Sequence, residues 1–126
     1  MAEPMEHWKS KPDAHDFPAA ADYLELLLPP KDVERAVAAL KRAKTVIKKA
    51  KDLSRASGLP LLPPENVHVA RDLDKVKQGV TLSPVLLVRG QAGRGVPLTV
   101  ADGYHRISAS YHLDENADIP CRIADL

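Results

Sequence analysis

Residues 102–106, Asp-Gly-Tyr-His-Arg, gather a carboxylate, an imidazole that titrates near neutrality and a forked guanidinium suited to phosphate oxygens. The flanking residues say how such a group is held. Leu98, Thr99 and Val100 suit a strand, whereas Ile107 with Tyr111 and Ala109 with Leu113 repeat at the four-residue spacing of a helix face. The switch falls at Asp102-Gly103, where glycine tolerates a sharp turn through positive φ. Tyr104, His105 and Arg106 then occupy the first helical turn, whose N–H groups lack intrahelical acceptors and lie at the positive end of the helix dipole. Gly103, Tyr104, His105 and Arg106 are therefore expected to bind phosphate. Arg106 has a competing role, pairing with Asp102 to pin the turn. Asp102 is open to three roles: capping a neighbouring N–H, acting as a base, or ligating Mg²⁺.

The motif, the apolar strand before it, Ala109 in the helix and Asp118-Ile119-Pro120-Cys121-Arg122-Ile123 after it together resemble the ParB/sulfiredoxin superfamily over residues 61–126. The resemblance implies nucleotide phosphates bound at the start of the motif helix and a second helix that lends residues to the site. Asp74-Lys75-Val76 looks like that second helix, with Lys75 as the added cation; the competing reading is a surface lysine on a polar helix. A nucleotide with Mg²⁺ is the candidate cofactor, and Asp102 or His105 would assist hydrolysis or transfer of its phosphate. Sulfiredoxin-like enzymes carry cysteine at the position of Tyr104, and Cys121 lies a strand away, so thiol chemistry on a sulfinic acid is not expected. Partitioning relatives carry DNA-binding helices after this fold, and nothing follows Leu126 here, so site-specific partitioning is not expected either.

Composition bounds the alternatives. A chain of 126 residues, 44% hydrophobic and 28% charged, fits one globular domain spanning residues 1–126. A net charge of +1 argues against a wholly basic nucleic-acid-coating protein. No apolar run suits a bilayer span and no leader pattern opens the chain, which predicts a cytoplasmic protein with no membrane partner. Cys121 alternates with Ile119 and Ile123 and reads as a core residue rather than a redox thiol. His105 and His112, two helical turns apart, are separated by about 10 Å, too far to share one ion, so no metal site is assigned.

The elements that must position the motif follow from periodicity. Residues 1–15 read as a flexible arm with Trp8 available to dock it, and a short helix runs from Pro18 to before Pro29-Pro30. Residues 31–57 read as one helix, on the order of 40 Å long, with Val33, Ala36, Val37, Leu40, Ala43, Ile47, Ala50 and Leu53 as its apolar stripe and Gly58-Leu59-Pro60 as its stop. Its opposite face carries Lys44, Lys48 and Lys51 among other cations. That face is a solvated surface or a weak DNA or RNA contact, and the overhanging stripe would allow a homodimer.

Leu61-Leu62 and Val67-His68-Val69 read as edge strands, residues 72–79 as a short helix and residues 85–88 as a strand covered on both faces. Residues 90–95 make a hairpin tip to a strand at 96–101, Asn116 is a left-handed cap, and Pro120 places the strand at 119–124 near an edge. The predicted fold is α/β (α+β): a small mixed sheet from the Val67, Val85, Leu98 and Ile119 segments with a strand-turn-helix phosphate site. A two-helix extension at 18–58 precedes this core at 61–126. The expected ligand is a phosphate-bearing small molecule, the alternative a nucleic acid on the lysine-rich helix.

Overall fold

The computed structural model describes residues 7–126, so the first part of the arm reading lies outside the described residues. The chain folds as a mixed α/β domain with a four-stranded sheet at its centre. In order come α1 (Asp16–Leu24), α2 (Pro30–Arg42), β1 (Val46–Lys49), α3 (Ala50–Ser57), α4 (Val67–Lys77), β2 (Val85–Val88), β3 (Thr99–Asp102), α5 (Tyr104–Leu113) and β4 (Asp118–Ala124), with a 3-10 turn at Ala92–Arg94. The strand order is β1-β4-β2-β3, with β2 and β4 parallel and the outer pairs antiparallel.

β2 is the centre of the core. Its four residues, Val-Leu-Leu-Val, are all buried, and their alternation sends side chains to both faces of the sheet. On one face Val85 and Leu87 join Ala50 and Leu53 of α3 and Ile107 of α5. On the other, Leu86 and Val88 meet Ala20 and Leu24 of α1 and Ala36 and Leu40 of α2. α4 lies outside the sheet and packs along α5. Cys121 is fully buried in the first cluster, where desolvation pushes its thiol up to about 11. It is a core residue.

The single helix expected at 31–57 is three elements. Ala43 is extended, and Val46–Lys49 pairs antiparallel with β4, Val46 opposite Cys121 and Lys49 opposite Asp118. The β-branched run Thr45-Val46-Ile47 is a poor place to continue a helix and a good place to form a strand, and β4 offers the ladder. Ala50 and Lys51 then donate to the carbonyls of Ala117 and Glu115 as α3 begins, and Gly58 closes α3 in the left-handed region. No overhanging stripe remains to support the predicted homodimer. Lys44, Lys48 and Lys51 fall on a loop, a strand and a helix, not on one helical face.

Other local readings change too. Val67-His68-Val69 is the start of α4 rather than a strand, because the Asn66 side chain caps it, accepting from the N–H groups of His68 and Val69 at 3.0 and 3.2 Å. Leu61-Leu62 belongs to no strand, and the fourth strand is β1. The N-terminal segment is docked from His7 onward: Trp8 is 8% exposed, and its neighbours bond the backbone of Leu82 on both sides. Asn116 adopts no left-handed conformation; its N–H donates to the Asp114 carboxylate at 2.8 Å. Pro120 lies in an interior strand, opposite Ile47 and one residue before β2 begins to pair at Cys121.

The β2–β3 hairpin carries the feature that aims the motif. Its register slips between Leu86, opposite Asp102, and Leu87, opposite Val100, so β3 holds one extra residue, Ala101. Such a bulge bends a strand and re-aims the residue beyond it, here Asp102, which still pairs with Leu86.

Candidate functional site

A cavity of about 460 Å³ opens where β3 turns into α5, within the size range of small-molecule sites. Three parts of the chain wall it. The turn supplies Asp102, Gly103, His105 and Arg106; α4 supplies His68, Arg71, Asp72 and Lys75; and the segment entering α1 supplies Asp13, His15 and Asp16. The α4 residues follow i, i+3, i+4, i+7 spacing, one polar face of a helix. Leu82 and Ser83, just before β2, close the floor.

Gly103 is required by geometry. Its φ is +113°, and a Cβ there would collide with the Val85 side chain, whose own Cβ would lie 2.8 Å away. α5 follows at once with no side-chain cap, and the N–H groups of Tyr104, His105 and Arg106 meet no protein acceptor among the described residues. The helix start at the cavity is therefore uncapped, and capping a neighbouring N–H, one of the roles open to Asp102, is not the one it takes.

Arg106 is held from within. One terminal nitrogen, Nη1, donates to the Ser83 carbonyl at 2.6 Å and to the Ser83 hydroxyl, while Nη2 donates to Asp102 Oδ2 at 2.5 Å. The two side chains are 13% and 20% exposed. Of the two roles open to Arg106, pinning the turn is the one its contacts display, and it ties β3 and α5 to the entry of β2. Burial pushes the Asp102 carboxyl above the ordinary aspartate range against the pull of Arg106, and the nearby Asp16 adds to the rise. Asp102 is thus a structural partner of Arg106 before it is a base.

Arg71 and Lys75 stand differently. Both line the cavity, and neither forms a hydrogen bond or ion pair with another described residue. Lys75 sits where the sequence places it. His105 lines the same wall, its ring centroid 4.7 Å from that of His68. Burial, the neighbouring His68 and Arg106 push the His105 imidazole below its ordinary value, against the pull of Asp72, so it is largely neutral at pH 7 and able to accept a proton. Asp72 is pushed up by burial despite four nearby positive or titratable partners, Lys75, Arg106, His105 and Arg71.

Tyr104 does not reach the cavity with its side chain: its hydroxyl donates to the Pro60 carbonyl, leaving only its backbone N–H at the helix start. Lys44 and Lys48 line a shallow groove on another part of the surface, and Lys51 a third. His112 meets the Leu62 carbonyl at 2.6 Å, apart from His105. His68, Arg71 and Asp72 escape a reading that treats 67–69 as a strand. The signal for them is Asn66, a strong N-cap residue, followed by Val69, Leu73 and Val76 at helical spacing.

Asp13, His15 and Asp16 present ligand atoms within 4.8 Å of one another. Each carboxylate is already engaged: Asp13 with Lys9 at 2.9 Å, and Asp16 with the Asp13 N–H at 2.9 Å and His15 at 3.5 Å. An imidazole among the donors also suits Mg²⁺ poorly. The set does not make a Mg²⁺ cage.

Two outcomes follow for stability. Arg106→Ala leaves Asp102 and Ser83 without their partner and is expected to cost about 2–4 kcal/mol in denaturant unfolding, with Arg106→Lys recovering only part because it cannot fork; a loss under about 0.5 kcal/mol contradicts the pinning role. For Asp72, the folded state holds its proton to higher pH than the unfolded chain, so its ionisation lowers stability as pH rises through the raised value. Asp72→Asn should therefore match wild type below about pH 4 and melt higher at pH 7; a lower melting temperature at pH 7 would contradict this. The chain matches no family model, no curated protein and no solved structure, so what the cavity does is read from its own residues.

Proposed function

We propose that this is a nucleotide- or phosphate-binding protein of ParB/sulfiredoxin type whose ligand places phosphate between the uncapped start of α5 and the α4 face. The observation that carries the reading is that Arg71 and Lys75, which form no hydrogen bond or ion pair among the described residues, line the same cavity as Gly103, His105 and Arg106 at the uncapped start of α5. Free amide donors, a positive dipole end and side-chain cations all favour the same ligand chemistry. Gly103 lets the chain turn tightly against Val85, and Arg106 with Asp102 holds that turn in place.

His105 is the group available for proton transfer if the bound phosphate is hydrolysed or transferred, because it is held neutral beside the helix start. Asp102, tied to Arg106, serves by keeping the turn's shape. A Mg²⁺ ion would arrive on the nucleotide's own phosphates, since the protein offers no complete cage. The nucleic-acid alternative needs a continuous lysine face, which the chain does not form.

Melting curves with AMP, ADP, ATP and inorganic phosphate, with and without Mg²⁺, test the reading. A ligand at a hundred times its Kd should add about 2.7 kcal/mol of stability. Arg71→Ala and Lys75→Ala should each weaken that ligand about tenfold or more, the scale of one charge-assisted hydrogen bond, with little change in the ligand-free melting temperature. No shift with any of the four compounds, or an undiminished shift in the double variant, would contradict the assignment.

A further inference from the structure

His68 has no part in the sequence motif, yet the structure sets its ring 4.7 Å from that of His105, tilted by 47°, with both rings on the cavity wall. His68 is the second residue of α4 and His105 the second of α5, so two helix starts bring two imidazoles together. Two imidazolium ions at this separation repel, and the cavity already holds Arg71 and Lys75 on the same side. An anion between the helices removes that penalty, and the gain grows with its charge.

We propose that His68 and His105 form a clamp for a doubly charged oxyanion, such as a terminal phosphate, and that binding it takes up a proton from solvent. The proposal rests on the phosphate-binding reading above and narrows its ligand to dianions, as against the singly charged phosphodiesters of a nucleic-acid backbone. In the free protein burial and the neighbouring His68 hold the His105 ring toward its neutral form, so it lacks the proton that an anion would favour. Asp72 on α4 favours protonation of His105 and Arg106 on α5 opposes it, while Arg71 and Lys75 on α4 line the same cavity. Across the cavity the segment entering α1 presents Asp13, His15 and Asp16, and β3 presents Asp102, which Arg106 holds. A bound dianion outweighs the opposing cations and admits the missing proton, turning both rings into donors.

Sulfate is the discriminating probe, since it stays doubly charged across the neutral range and any pH dependence belongs to the protein. Calorimetric titration between pH 6 and 8.5 should show affinity rising as pH is lowered, toward tenfold per unit for each proton taken up on binding. The heat should change with the ionisation enthalpy of the buffer. His68→Asn and His105→Asn should each lower this slope, and the double variant should abolish it. His15→Asn should keep it, and Lys75→Ala should weaken sulfate at every pH while leaving the slope intact. Sulfate affinity that does not change with pH in the wild-type protein, or a slope that survives in the His68→Asn/His105→Asn double variant, would overturn the clamp. If nucleotides stabilise the protein while the sulfate slope is absent, the clamp alone fails; if no oxyanion or nucleotide binds at any pH, the phosphate reading fails with it.

Discussion

The ion pair between Arg106 and Asp102, together with the Arg106 bonds to Ser83, is the constraint on which the rest of the site depends. It joins the end of β3, the first turn of α5 and the segment entering β2. Gly103 makes the join possible, because no other residue fits its positive φ against Val85. A guanidinium spent on structure cannot give all its donors to a ligand. The cations left for that task, Arg71 and Lys75, are on α4 outside the motif, and of the two only Lys75 is named from the sequence, through the family resemblance.

The two helix starts give the cavity its polarity. α5 begins at the cavity with no side-chain cap among the described residues; α4 begins with Asn66 closing its own N–H groups, so its contribution is made by side chains along one face. Burial works on the titratable groups in opposite senses, keeping Asp72 and Asp102 protonated to higher pH and His105 neutral to lower pH.

The motif region was legible because three local signals coincide at residues 98–113: strand-like residues, a glycine at the switch and i, i+4 apolar pairs. The fully buried β2 strand was legible for a similar reason. The helix misread at 31–57 shows where periodicity stops informing. Ala36 and Leu40 and then Ala50 and Leu53 fit one stripe by spacing, yet the first pair covers one face of the sheet and the second pair the other. Only the long-range ladder of Val46–Lys49 with β4, residues some seventy positions away, reveals that the chain crosses the sheet edge between them. The pairing of Arg106 was open in the sequence, since an anion site and an internal ion pair use the same residues at the same spacing. The choice is made by Ser83, whose approach depends on tertiary structure.

The most direct measurement is a backbone amide NMR titration with pyrophosphate. Binding between the helices predicts that the largest shifts fall on the N–H groups of Tyr104, His105 and Arg106, with the Arg71 and Lys75 side chains responding at the same concentrations. Shifts centred on Lys44 and Lys48, or none at the start of α5 at saturating pyrophosphate, would contradict the account.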